Sequence, residues 1–108
     1  MIQTVGSGRF AVSRRVEFRG QSGAVYAFLP FEEVSLRPIG VTYVVAEAVP
    51  DGWRLLRVGH TNNLAEKSWA PPLAEVREAH PGAQLLIRLN ISRSIREAEA
   101  ADLEPLVG

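Results

Sequence analysis

The segment Gly40-Val41-Thr42-Tyr43-Val44-Val45-Ala46-Glu47 constrains the fold more than any other part of the chain. It is apolar and β-branched at both odd and even positions, so as a strand it needs cover on both faces, which predicts a central position in a sheet. The next residues supply a neighbour. Val49-Pro50-Asp51-Gly52 has the chemistry of a tight turn, and Trp53 to Val58 returns as a second strand ending at Gly59. Asn62 or Asn63 can cap a short helix over residues 64–69, which Pro71-Pro72 ends or redirects. Pro72 suits the first turn of a further helix, with Leu73, Val76 and His80 on one face and Pro81-Gly82 as its stop. Leu85, Ile87 and Leu89 alternate as a third strand. Ser94 and Glu97 stand at capping-box spacing, opening a last helix that runs towards Pro105.

Upstream of Gly40 the pattern is that of short strands around tight turns. Arg15-Val16-Glu17-Phe18-Arg19 alternates charged and apolar, Gly20-Gln21-Ser22-Gly23 reads as a turn, and Ala24 to Leu29 returns as a strand. Phe31 to Pro38 reads as irregular or one helical turn. The class expected is α+β: a small mixed or antiparallel sheet flanked by helices, in one domain over 1–108. Residues 1–39 are expected to form an N-terminal β extension of the sheet, and 40–104 the core.

Charge and cysteine content limit the chemistry. Twelve Lys and Arg balance twelve Asp and Glu in 108 residues, so the formal net charge is zero and an indiscriminate polyanion binder is disfavoured. With no cysteine, the chain holds no disulfide framework, thiol nucleophile or thiolate zinc site. The apolar runs are too short to cross a bilayer, and Met1 to Val5 lacks the layout of a signal peptide, which predicts a cytoplasmic protein. No Walker loop, nucleophile elbow or metal-spaced His pair is present.

One segment carries a family resemblance. Gly40-Val41-Thr42-Tyr43-Val44, followed by Arg57-Val58-Gly59-His60-Thr61-Asn62-Asn63-Leu64, resembles the GIY-YIG endonucleases, in which adjacent strands carry the two motifs and the second is followed by x-T-x-N-L. Gly59-x-Thr61-x-Asn63-Leu64 stands intact, and the resemblance runs from Gly40 to Leu103. It implies a GIY-YIG-like core with an extra N-terminal β-hairpin. It also implies metal-assisted phosphodiester hydrolysis, in which a tyrosine activates water, an arginine faces the phosphate and a helix glutamate holds a divalent metal. The catalytic positions have drifted. Thr42 stands at the first tyrosine, Arg57 at the second and Lys67 at the arginine. A threonine hydroxyl does not act as an acid or base near neutral pH, and Lys67 lacks the bidentate fork of arginine.

The remaining candidates follow from residue type and helical geometry. On the last helix, Ile95, Ala98, Glu99, Asp102 and Leu106 share a face expected to meet the sheet, so Glu99 and Asp102 are candidate ligands for Mg²⁺ or Mn²⁺. The family spacing relative to Leu103 would instead put Ala100 at the metal position. His60 has the intrinsic pKa of a general base, with Tyr43 as the alternative activator of water. Arg57, Lys67 and Arg54 are candidate nucleic-acid contacts, each also suited to an ordinary ion pair; for Arg57 the acid considered is Glu99, and for Glu99 and Asp102 the cations are Arg96 and Lys67. Arg9, Arg14, Arg15 and Arg19 could line a basic strip on the N-terminal hairpin. The function expected is a catalytically degenerate GIY-YIG-like domain that binds nucleic acid, with DNA as the candidate, or a protein partner. The alternatives are an active metal-dependent DNA endonuclease and a protein-interaction module that self-associates through an edge strand.

Overall fold

The computed structural model describes residues 15–108. Of the N-terminal arginines, Arg9 and Arg14 lie outside the described residues. Five strands and two α-helices follow in the order β1 (Val16–Arg19), β2 (Val25–Pro30), β3 (Val41–Val49), β4 (Gly52–Thr61), α1 (Ala70–Ala79), β5 (Gln84–Leu89) and α2 (Arg93–Leu103). Short 3₁₀ turns lie at Phe31–Glu33, Leu64–Glu66 and Glu104–Leu106. The strands form one curled antiparallel sheet in the order β1-β2-β5-β3-β4. No helix among the described residues is long and apolar enough to cross a membrane.

The unbroken apolar run becomes β3, flanked by β4 and β5 and buried from Val41 to Ala46. Alternation sends its odd and even residues to opposite layers. Val41, Tyr43 and Val45 pack with Leu85, Ile87 and, from α1, Leu73 and Val76. Val44 and Ala46 pack with Leu86, Phe28 and, from α2, Leu103. The two helices therefore cover opposite faces of β3, which is why neither parity of that strand is polar. A β-bulge between Val45 and Ala46 pairs Val45 with Arg57 and Ala46 with Leu55. The extra residue, Leu56, joins the α1-side core while Leu55 joins the α2-side core.

The N-terminal strands belong to the same sheet, as expected: β2 pairs with β5 through Leu29↔Ile87 and Pro30↔Leu86. The β1–β2 hairpin is tied to α2 by Asp102. One carboxylate oxygen accepts from the Ser22 backbone N–H at 2.8 Å, and the other accepts from Ser22 Oγ at 2.7 Å and the Tyr26 hydroxyl at 2.8 Å.

Two expectations about α2 are corrected. Its N-cap is Ser92, whose hydroxyl accepts from the Ile95 N–H; Ser94 lies inside the first turn, and Glu97 reaches Arg93 at 3.0 Å instead of closing a capping box. The Ser92 N–H donates to Asn90 Oδ1, a turn that fixes the extended entry to the helix. The buried residues are Arg96, Glu99 and Leu103, whereas Ile95 and Leu106 are 49% and 41% exposed. The helix is rotated by one position from the expected face because the sheet supplies partners for a buried glutamate, and the loops after β4 and β5 supply them for a buried arginine.

Candidate functional site

Strand parity decides where the candidate residues lie. Tyr43 is in register with Gly59 and Ile87, and Val45 with Arg57, so Tyr43 and Arg57 belong to the α1 face. Thr42 is in register with His60 and Arg88, and both Thr42 and Arg88 hydrogen-bond Glu99 of α2, which puts His60 and Glu99 on the other face. The structure brings Tyr43 and Arg57 together, and separately His60 towards the Glu99 side. It does not bring the four into one cleft.

On the α1 face, the Tyr43 phenol lies directly over Gly59, where an added Cβ would collide with the ring. Burial pushes its pKa above the ordinary tyrosine value, and nearby Arg57 only partly opposes this, so the neutral phenol is favoured. Arg57 pairs with Glu75 of α1 at 2.7 Å rather than with Glu99. Arg54 is exposed and lies 3.7 Å from Glu47, which also meets His80 Nδ1 at 3.0 Å. Lys67 is exposed in a left-handed conformation (φ 59°) as the cap of the Leu64–Glu66 turn.

On the α2 face, Glu99 is nearly enclosed and both its oxygens are engaged. Oε1 accepts from Thr42 Oγ1 at 3.0 Å and Oε2 from Arg88 Nε at 3.1 Å. Arg88 also lies over the Tyr26 ring, 5.5 Å from its centroid. Asp102, three residues on, belongs to the Ser22–Tyr26 cluster, and these hydrogen bonds hold its carboxyl below the usual aspartate value. The two carboxylates thus serve separate partners. Among the described residues no group of three or more His, Cys, Asp or Glu is placed to hold a metal.

The concavity at this end of the sheet is a cleft of about 260 Å³ lined by His60, Thr61, Asn62, Glu66, Ser68 and Arg93. The motif residues after Gly59 build its wall. Thr61 Oγ1 accepts from the Asn63 N–H at 3.1 Å, and Asn63 Oδ1 accepts from the Ala65 N–H at 3.0 Å, so the intact Thr-x-Asn-Leu string caps the turn that follows β4. Leu64, fully buried, anchors that turn in the α1-side core. Arg93, the first residue of α2, closes the cleft from the other side.

Behind the cleft lies Arg96, only 2% exposed. Its guanidinium donates to the Asn90 backbone oxygen at 2.8 Å and to Asn62 Oδ1, while Nε has no partner. No carboxylate of the described residues pairs with it. Gly40 makes room for this side chain, since a Cβ there would overlap the guanidinium. His60 Nδ1 is likewise buried without a partner. Sequence reasoning passed over Arg96, Arg93, Asn62 and Ser68 as site residues; the available signal was Gly40, the glycine immediately before β3.

Comparison with protein-family models, with curated proteins and with solved structures returns no match to this chain.

Proposed function

We propose that this chain is a GIY-YIG-like domain with a decayed catalytic set, which binds nucleic acid, with DNA as the first candidate, through the cleft beside the α2 N-terminus. In this reading β3 to α2 correspond to the family core, the β1–β2 hairpin is the addition, and the protein acts in the cytoplasm. The observation that carries it is the state of Glu99. A metal-binding carboxylate must offer free oxygen lone pairs to an open site. Glu99 instead gives one oxygen to Thr42, at the position of the family's first tyrosine, and the other to Arg88. Substituting that tyrosine thus removes a catalytic phenol and also supplies a hydroxyl that occupies the carboxylate.

The other candidates support binding over cleavage. Tyr43 holds its proton more tightly than a free tyrosine and faces away from Glu99, and Arg57 is occupied by Glu75. His60 lines the cleft with its Nδ1 buried and without a partner. Were a metal-dependent nuclease activity retained, Glu99 and Asp102 would have to give up their present partners to hold Mg²⁺ or Mn²⁺.

Fluorescence anisotropy with labelled single- and double-stranded DNA over a salt series tests the reading, together with a nicking assay on supercoiled DNA in Mg²⁺ and Mn²⁺. Binding should weaken with salt at a slope of about −0.7 to −0.9 per phosphate neutralised, and no nicking should occur. Absent or salt-insensitive binding refutes the nucleic-acid reading in favour of a protein partner or self-association through an edge strand. Nicking that Glu99→Gln abolishes would establish the nuclease instead.

A further inference from the structure

We infer that the cleft takes a terminal phosphate monoester, the charged end of a nucleic-acid strand, and that the buried Arg96 is the positioning residue that turns Asn62 into a donor for it. The inference rests on the nucleic-acid reading and narrows it to one chemical group.

An asparagine amide presents a carbonyl at one end and an NH₂ at the other, and its neighbours fix which end is free. Arg96 has only donors to offer, so Asn62 must give it the carbonyl oxygen. The amide NH₂ is the end left to a ligand in the cleft that Asn62 lines. Ser68 adds a hydroxyl and Arg93 the guanidinium nitrogens not used by Glu97, whose bond is to Arg93 Nε. Donors therefore outnumber the single carboxylate in the lining, Glu66.

The buried charge selects an anion. An enclosed guanidinium normally meets a carboxylate, because dipoles alone offset its desolvation only in part. Arg96 has two carbonyl oxygens and an unpartnered Nε. An anion on the far side of Asn62 completes a relay in which Arg96 polarises the amide and the amide donates outward. A phosphate monoester, with three peripheral oxygens and close to two charges at neutral pH, takes more of these donors than an internal diester, which has two free oxygens and one charge. The neutral net charge agrees with recognition of an end. Tracking a backbone requires a succession of cations, whereas Arg93 is the one Lys or Arg among the residues that line the cleft.

The test compares short single-stranded oligonucleotides of one sequence with a 5′-phosphate, a 3′-phosphate or hydroxyl ends, on the full chain and on Asn62→Asp. Wild type should bind one of the phosphorylated forms about tenfold more tightly than the hydroxyl-ended form, and inorganic phosphate should compete for that preference. Asn62→Asp gives Arg96 the carboxylate it lacks while removing the donor, so it should raise the thermal midpoint yet abolish the preference. Arg96→Lys, folded by circular dichroism, should reduce the preference without removing salt-dependent binding. Equal, salt-dependent binding of all three oligonucleotides overturns the terminal-phosphate inference and leaves the nucleic-acid reading standing. Binding of none overturns both. A preference that survives Asn62→Asp overturns the assigned roles of Asn62 and Arg96.

Discussion

Replacing Arg88 by leucine removes the cation that pairs with Glu99 while keeping an aliphatic side chain on β5. Among the described residues, Glu99 is left with Thr42 Oγ1 as its partner, in a side chain only 6% exposed. Breaking a fully buried ion pair by deleting one partner costs about 3–5 kcal/mol, most of it the stranded charge. Arg88 is itself 32% exposed, so water reaches one side of the pair and part of the stranded charge is solvated. The bond from Arg88 to the Ala27 oxygen, at 3.4 Å, is long and contributes little. These considerations put the loss at about 2–4 kcal/mol, a large fraction of the stability of a domain this size. The midpoint of thermal unfolding should fall by roughly 10–25 °C. Urea denaturation of wild type, Arg88→Leu, Glu99→Gln and the double variant measures this directly. Because Glu99→Gln removes the charge that Arg88 neutralises, the double variant should be more stable than the sum of the single losses predicts, with a coupling of about 1–2 kcal/mol. A loss below about 0.5 kcal/mol for Arg88→Leu, or strict additivity, would refute the view that Glu99 is held as a structural ion and would return it to the pool of available metal ligands.

Other measurements probe the same architecture. Asp102 has a lowered pKa when folded, so its contribution is complete above the unfolded aspartate value and disappears as pH falls through the folded one; Asp102→Asn should flatten the acid limb of the stability profile, and an unchanged limb would show that the Ser22–Tyr26 cluster is not what protonation breaks. Tyr26 has a raised pKa, chiefly through its hydrogen bond to Asp102, so its contribution is complete below the ordinary tyrosine value and is lost as pH rises through the folded one; spectrophotometric titration of Tyr26→Phe against wild type should remove one late-titrating phenol. Gly59→Ala drives a methyl into the Tyr43 ring and should cost about 1–3 kcal/mol with an altered near-ultraviolet circular dichroism spectrum, whereas a neutral result would mean the ring has room to move. Millimolar Mg²⁺ or Mn²⁺ should leave the thermal midpoint unchanged, since a site saturated a hundredfold above its dissociation constant would add about 2.7 kcal/mol.

The elements were legible in the sequence because each carries local punctuation. The two-sided apolar run became β3, the Val49–Gly52 turn joined it to β4, and Asn63 capped the following turn. The start of α2 was misplaced by two residues because Ser92 and Ser94 are both acceptable caps and only the Asn90–Ser92 contact distinguishes them. The face of α2 was less legible for a stronger reason. Periodicity assumes that apolar residues turn inward, which selects Ile95 and Leu106, but Thr42 and Arg88 of the sheet engage Glu99, and Asn62 and the Asn90 carbonyl, in the loops after β4 and β5, engage Arg96. Polar partners assembled from distant segments can outcompete an apolar stripe, and no single segment contains the information to show it.

The same physics explains why the motif residues separate. In a strand buried on one face, neighbouring motif positions would divide between a site and the core, and a substitution at one would leave the other's partners intact. β3 is buried on both faces, so Thr42 and Tyr43 look into different layers, one towards α2 and the other towards α1. Tyr43 reaches the α2 layer, where Thr42 stands, only through a one-residue slip of β3, which would also turn Val44 and Ala46 out of the α2-side core. Such a slip would exchange the residues of the two layers, carrying the Thr42 hydroxyl into the apolar α1-side core and leaving Glu99 without it. The register that makes β3 a stable centre is what holds the phenol and the Glu99 carboxylate on opposite sides.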